Sequence, residues 1–318
     1  MSIFKLDPAF KDYIWGGTRL RDEYGKKCDY DKVAESWELS CHKDGPSVVA
    51  DGEYKGLTLN EYIEKAGKGV LGKNCERFEN FPILIKLIDA KDNLSVQVHP
   101  DNDYAMRVEG EYGKTEMWYV VDCDEGATLL YGFKHEITKE EFARRIADNT
   151  LLEVTNAVPV KKGDVFFIKS GTLHAIGKGI LIAEIQQNSN TTYRIYDYGR
   201  VGKDGKPREL HVNKALDVTK LAPAEQYPET PVEKKDGYDI KLLSKCEYFT
   251  TYRVNVETKA ELEADENSFN SILVLEGEPV ISGGETVSAK KGESVFISAG
   301  TGKYTVEGKC TFVLTKID

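Results

Sequence analysis

The chain has 318 residues and lacks several features that would have placed it quickly. No apolar run approaches the roughly 20 residues needed to cross a bilayer, which excludes a helical membrane protein. Six cysteines are scattered without a C-x-x-C pair (Cys28, Cys41, Cys75, Cys123, Cys246, Cys310), which fits neither a disulfide scaffold nor a thiolate zinc site. Positive charge is also short: Lys+Arg 43 against Asp+Glu 53 leaves a net charge of -10, the wrong sign for neutralising nucleic acid or an anionic membrane surface. The first residues show no basic stretch leading into an apolar one, so no secretory signal is expected and the protein is read as cytoplasmic. Histidines number only five, few enough to weigh singly.

Helical periodicity is scarce as well. Thr58-Leu59-Asn60-Glu61 and Thr138-Lys139-Glu140-Glu141 have capping-box spacing ahead of short amphipathic stretches. Most of the remainder reads as short strands bounded by Gly, Asp and Asn turns, at 83–88, 94–98, 117–121, 127–130, 165–168 and 180–185, and again at 249–256, 272–275, 294–297 and 311–314. The class is therefore all-β with short helical insertions in the first part. The segment 221–238, with Pro223, Pro228 and Pro231 among clustered charges, reads as a linker. Domains are expected at 1–225 and 226–318.

An internal repeat supports two related units. Lys162-Gly163-Asp164-Val165-Phe166-Phe167-Ile168-Lys169-Ser170-Gly171-Thr172 aligns without gaps on Lys291-Gly292-Glu293-Ser294-Val295-Phe296-Ile297-Ser298-Ala299-Gly300-Thr301. Two jelly rolls of the cupin type would produce this pattern, although other β-sandwiches share it. Extending the alignment puts His174 opposite Lys303. The stretch from Ser268 to Leu275 offers no carboxylate to match Glu116, and no histidine follows His211. A metal site is thus expected in the first unit alone.

Chemistry concentrates in three strands. Alternation in Leu94-Ser95-Val96-Gln97-Val98-His99-Pro100 places Gln97 and His99 on one face. Gly113-Lys114-Thr115-Glu116 opens an apolar strand, with Lys114 and Glu116 on one side, and Gly171-Thr172-Leu173-His174 puts a histidine just past a turn. An amide oxygen, two imidazoles and a carboxylate converging at a barrel mouth suit zinc and accept other first-row metals. Downstream, Glu184 and Gln186 share a face, as do Arg194 and Tyr196, and a carboxylate and an arginine beside a metal would serve proton transfer and oxyanion stabilisation. His42, His135 and His211 lack such company and read as surface or supporting residues. Arg200, Lys206 and Arg208 are basic residues near the motif with no role assigned.

The runs Ile14-Trp15-Gly16-Gly17, Glu35-Ser36-Trp37-Glu38-Leu39-Ser40, Leu94 to Asp101, Gly113 to Tyr119, Gly171 to Gly177 and the stretch from Glu184 to Arg200 resemble those of type I mannose-6-phosphate isomerases, in particular the short bacterial form. The resemblance is ordered from about residue 13 to 200 and diffuse beyond 220. It implies a cupin-fold, zinc-dependent aldose-ketose isomerase acting on a sugar phosphate, with one Zn2+ per chain on Gln97, His99, Glu116 and His174. It also implies catalytic roles for Arg194, Lys114 and Glu184. Asn190 departs from the family run, where aspartate is common. Two rival classes, an iron cupin dioxygenase and a sugar-binding regulator, leave the set of Lys114, Glu184 and Arg194 without evident use. Oligomeric state is not legible.

Overall fold

In the computed structural model, which describes residues 2–202 and 205–318, four antiparallel sheets stack in series. The outermost, five-stranded sheet runs Tyr193–Tyr196, Val96–Val98, His174–Ala175, Thr128–Phe133 and Thr155–Pro159. Next comes a six-stranded sheet in the order Val165–Ile168, Glu116–Cys123, Ile180–Gln187, Ile83–Ala90, Glu35–Leu39 and Ala9–Lys11. These two enclose the first barrel. An eight-stranded sheet and a four-stranded sheet enclose the second.

The central strands of the six-stranded sheet are apolar along most of their length because both of their faces are buried. Met117, Tyr119, Val121, Leu181, Ala183 and Ile185 join Ile83, Ile85 and Leu87 in a core shared with Phe4, Leu273, Phe296 and Val313 of the eight-stranded sheet. The alternate residues Ile88, Trp118, Val120, Ile180 and Ile182 point into the first barrel with Trp15 and Ile176. Period-two alternation therefore separates two cores rather than core from water. One end of the barrel interior stays polar, since the same face continues into Lys86, Glu116, Glu184 and Gln186, each buried.

Both capped helices form. Thr58 caps Leu59–Ala66 with a complete capping box, and Thr138 caps Lys139–Ala147 by accepting from the Glu141 N–H. Helices Asn102–Val108 and Val212–Val218 were not anticipated, although Asp101 caps the first of them by accepting from the Tyr104 N–H. The linker reading needs correction: Val232–Lys235 is an edge strand, paired with Tyr238–Lys245. Its charged, exposed sequence shows no apolar alternation because an edge strand with both faces in water has nothing to bury.

The eight-stranded sheet also takes strands from the start of the chain. Ile3–Asp7 pairs with Ser294–Ile297 and then with Val48–Val49. A cut at 225/226 separates these strands from the sheet they complete.

Repeat geometry is preserved at the turns. Gly171 and Gly300, matched in the alignment, have φ of 85° and 76°, a conformation that L side chains rarely adopt. Register carries the comparison further: Ile168 stands opposite Glu116, and its repeat partner Ile297 stands opposite Asn270. Asn270 thus holds the place of Glu116, and its amide donates to the buried Tyr304 hydroxyl at 2.9 Å. Lys303, aligned on His174, points to solvent, and Tyr304 is the side chain that enters the second barrel.

Candidate active site

Two cross-strand ladders face each other across the polar end of the first barrel. On the five-stranded sheet, Arg194 stands opposite Gln97 and Gln97 opposite His174. On the six-stranded sheet, Glu184 stands between Trp118 and Lys86, and Lys86 opposite Trp37. Glu116 lies next to Gln186 at the head of its strand.

The sequence-derived ligand set converges here. His99, Glu116 and His174 offer donor atoms that all lie within 4.8 Å of one another, each residue fully buried. His174 Nε2 is 3.4 Å from Glu116 Oε1, and His99 Nε2 is 3.7 Å from Oε2. Gln97 stands beside the group, its side-chain amide nitrogen 3.4 Å from His174 Nε2.

Hydrogen bonding fixes what these rings can do. His99 Nδ1 lies 2.9 Å from the Thr191 carbonyl and His174 Nδ1 2.8 Å from the Thr172 carbonyl. A carbonyl only accepts, so both Nδ1 atoms carry the proton and both Nε2 atoms present lone pairs. Those two lone pairs meet at 3.2 Å. Burial, followed by the charge of Lys114, holds His99 well below the usual imidazole value, and burial brings His174 down to about 4. Both rings are therefore neutral near pH 7, and no shared proton relieves the contact. Neither buried oxygen of Glu116 accepts a hydrogen bond of good geometry. Two opposed lone pairs beside a carboxylate whose Oε1 has no partner fit a divalent cation bound by N and O donors.

Around this cluster lie the charged groups. Lys114 Nζ is 2.9 Å from Glu116 Oε2 and 3.7 Å from Glu184 Oε1. Lys86 Nζ, buried, is 3.2 Å from Glu184 Oε1 and 3.7 Å from Glu35 Oε2. Trp118 donates its indole N–H to Glu184 at 2.8 Å. Burial would raise Glu184, but Lys114 and Lys86 overcome it and hold the carboxyl below the usual range, whereas burial and the Glu184 charge push Glu116 up.

Arg194 reaches the same cleft, of about 250 Å3, which is also lined by Lys86, Gln97, Lys114, Glu184 and Arg208. Arg194 donates to the Glu209 carbonyl at 2.9 Å, and its Nε is buried without a partner. The expectation that Tyr196 shares its face fails. A register shift between Arg194 and Tyr196 sets Tyr196 opposite Val96, on the outer face. Arg200 and Arg208 both pair with Asp197; Lys206 lies in the same loop.

Sequence reasoning passed over Lys86. Its signal was there: one lysine inside Ile83-Leu84-Ile85-Lys86-Leu87-Ile88, where a charge has no place unless partnered.

Residues 3–126 match the family model "Phosphomannose isomerase type I, catalytic domain" and residues 239–317 match "Mannose-6-phosphate isomerase, cupin domain". The chain is 39% identical to the mannose-6-phosphate isomerase ManA of Bacillus subtilis (strain 168), covering 98% of this chain and 97% of that one. It is similar to the crystal structure of the mannose 6-phosphate isomerase from Bacillus subtilis, with a TM-score of 0.93, 38% identity and 99% of each chain covered. A zinc-bound holo mannose 6-phosphate isomerase shares the fold at 17% identity, with a TM-score of 0.80 and 99% of each chain covered. Among the described residues no helix is long and apolar enough to cross a membrane.

Proposed function

The chain belongs to the type I phosphomannose isomerases, which are aldose-ketose isomerases, and from that premise we propose that it interconverts mannose 6-phosphate and fructose 6-phosphate through a cis-enediol, using one zinc ion per chain. Gln97, through its amide oxygen, His99, Glu116 and His174 would hold the ion. The observation that carries this reading is the pair of opposed imidazole lone pairs, 3.2 Å apart, beside Glu116 Oε1, a buried carboxylate oxygen with no hydrogen-bond partner. Zinc, when bound, supplies Lewis acidity toward the sugar's carbonyl and hydroxyl oxygens.

The remaining chemistry belongs to side chains. In the forward direction the C2–H bond breaks, its electron pair forms the C1=C2 bond, and the carbonyl oxygen gathers negative charge. That oxygen, O1, takes up a proton to give the cis-enediol; the O2 proton then leaves as the C2=O bond forms, and a proton added at C1 gives the ketose. Proton transfer falls to Lys114 and Glu184, 3.7 Å apart and both lining the cleft, with Glu184 kept ionised by Lys86 and Lys114. Arg194, on the opposite sheet, lines the same cleft, and its guanidinium would stabilise the growing oxyanion. Trp118 keeps Glu184 in one orientation.

An NMR time course of mannose 6-phosphate with zinc-loaded protein tests the proposal. Fructose 6-phosphate should appear and reach a constant ratio from either side. Sugar phosphate that binds yet stays unchanged would sink it.

A further inference from the structure

Behind the site, His42 is buried beneath the loop that joins the Glu184 and Arg194 strands. Its Nδ1 accepts from the Asp44 N–H at 3.1 Å, so Nε2 carries the proton and faces Glu111 Oε1 at 3.5 Å. Lys43 Nζ reaches the same oxygen at 3.2 Å. The other oxygen, Glu111 Oε2, accepts from the Thr191 hydroxyl at 3.3 Å and from the Asn190 N–H at 3.4 Å. On the far side Asn190 donates its amide to Asp44 at 2.8 Å. Asparagine at 190 follows from that contact, since aspartate there would set two carboxylates against each other. The loop is thus held from both sides, and the main-chain oxygen it presents, Thr191 O, is the one that binds His99 Nδ1.

We propose that Glu111, oriented by His42, is a positioning residue for His99: by holding Thr191 it fixes the Nδ1–H tautomer and so commits Nε2 to the metal. This rests on the zinc reading above but touches neither substrate nor ion. Outer hydrogen-bond partners of metal-binding histidines typically matter by about 10- to 100-fold in affinity.

The test uses the full chain. Metal-free protein is examined by long-range 1H–15N NMR of its imidazoles, and zinc affinity is measured by competition with a chromophoric chelator. Wild type should show His99 as a single Nδ1–H tautomer. Glu111→Ala should show a mixture of tautomers and bind zinc about 10-fold or more weakly, while Glu111→Gln, which keeps an acceptor oxygen, recovers most of both. A single unchanged tautomer in Glu111→Ala, or wild-type zinc affinity, overturns the proposal. Should Glu111→Ala not fold, Thr191→Val decides: it removes the hydroxyl contact but keeps the carbonyl, so smaller changes in the same direction support the proposal and no change overturns it. Failure of wild type to isomerise sugar phosphate would count against the function and leave these readouts intact.

Discussion

Removing either His99 or His174 deletes one of the two lone pairs that meet in the barrel, and the consequences can be measured separately from folding. In His99→Ala and His174→Ala, zinc content by elemental analysis and isomerase activity should fall together, and exhaustive chelation of wild type should abolish turnover reversibly. Full zinc occupancy in both variants would mean that other groups hold the ion. Arg194 poses a different question. Arg194→Ala should lower kcat roughly 100-fold or more, the scale for losing a preorganised donor to an oxyanion, with zinc content and Tm little changed. A rise in KM at constant kcat would reassign the guanidinium to ground-state binding. Gln97 with His99 was legible from strand alternation and His174 from its place just past a turn, while grouping these with Glu116 as one ligand set drew also on the family resemblance. Lys86 and Thr191 were not: one is explained only by partners on other strands, and the other acts through a main-chain carbonyl, which no residue type announces.

Among the elements, those that follow local rules matched the reading of the sequence best. The Thr58 capping box needs four consecutive residues and nothing else, and it formed complete. Thr58→Ala should lower stability by about 1 kcal/mol in denaturant titration with kcat unchanged. A loss of activity at equal stability would tie this helix to the site in a way the fold does not suggest. Elements set by distant partners were harder to read. Val232–Lys235 is a strand only because Tyr238–Lys245 lies beside it. The register shift after Arg194 turns Tyr196 away although its spacing is that of a same-face pair. Both are decided by pairing, which the isolated segment does not encode.

At the scale of the molecule, the two barrels differ in what fills them. Asn270 and Tyr304 satisfy one another in the second barrel, whereas in the first Glu116 Oε1 has no hydrogen-bond partner and His174 Nε2 meets the lone pair of His99. Protein freed of loosely bound ions should therefore hold about one equivalent of zinc. A second tight equivalent would contradict the pairing of Asn270 with Tyr304. The fragment 236–318 should not fold as a soluble monomer, because it lacks Ile3–Asp7 and bares Leu273, Phe296 and Val313, which pack against the six-stranded sheet. Cooperative thermal unfolding of that fragment would show instead that its own barrel suffices.

The pairing of Ile3 with Ile297 also has a meaning in time. During synthesis Ile3–Asp7 leaves the ribosome well ahead of its partner strand Ser294–Ile297. At about 5 to 20 residues per second the interval is roughly 15 to 60 s. Throughout it the strand has Val48–Val49 to pair with on one side, but the edge that Ile3, Phe4 and Leu6, all buried in the finished protein, turn toward Ser294–Ile297 stays open. Ile3–Asp7 is thus a waiting hydrophobic strand in the newborn chain, and chains released before residue 297 would carry one of its edges unpaired, open to capture by chaperones or by one another.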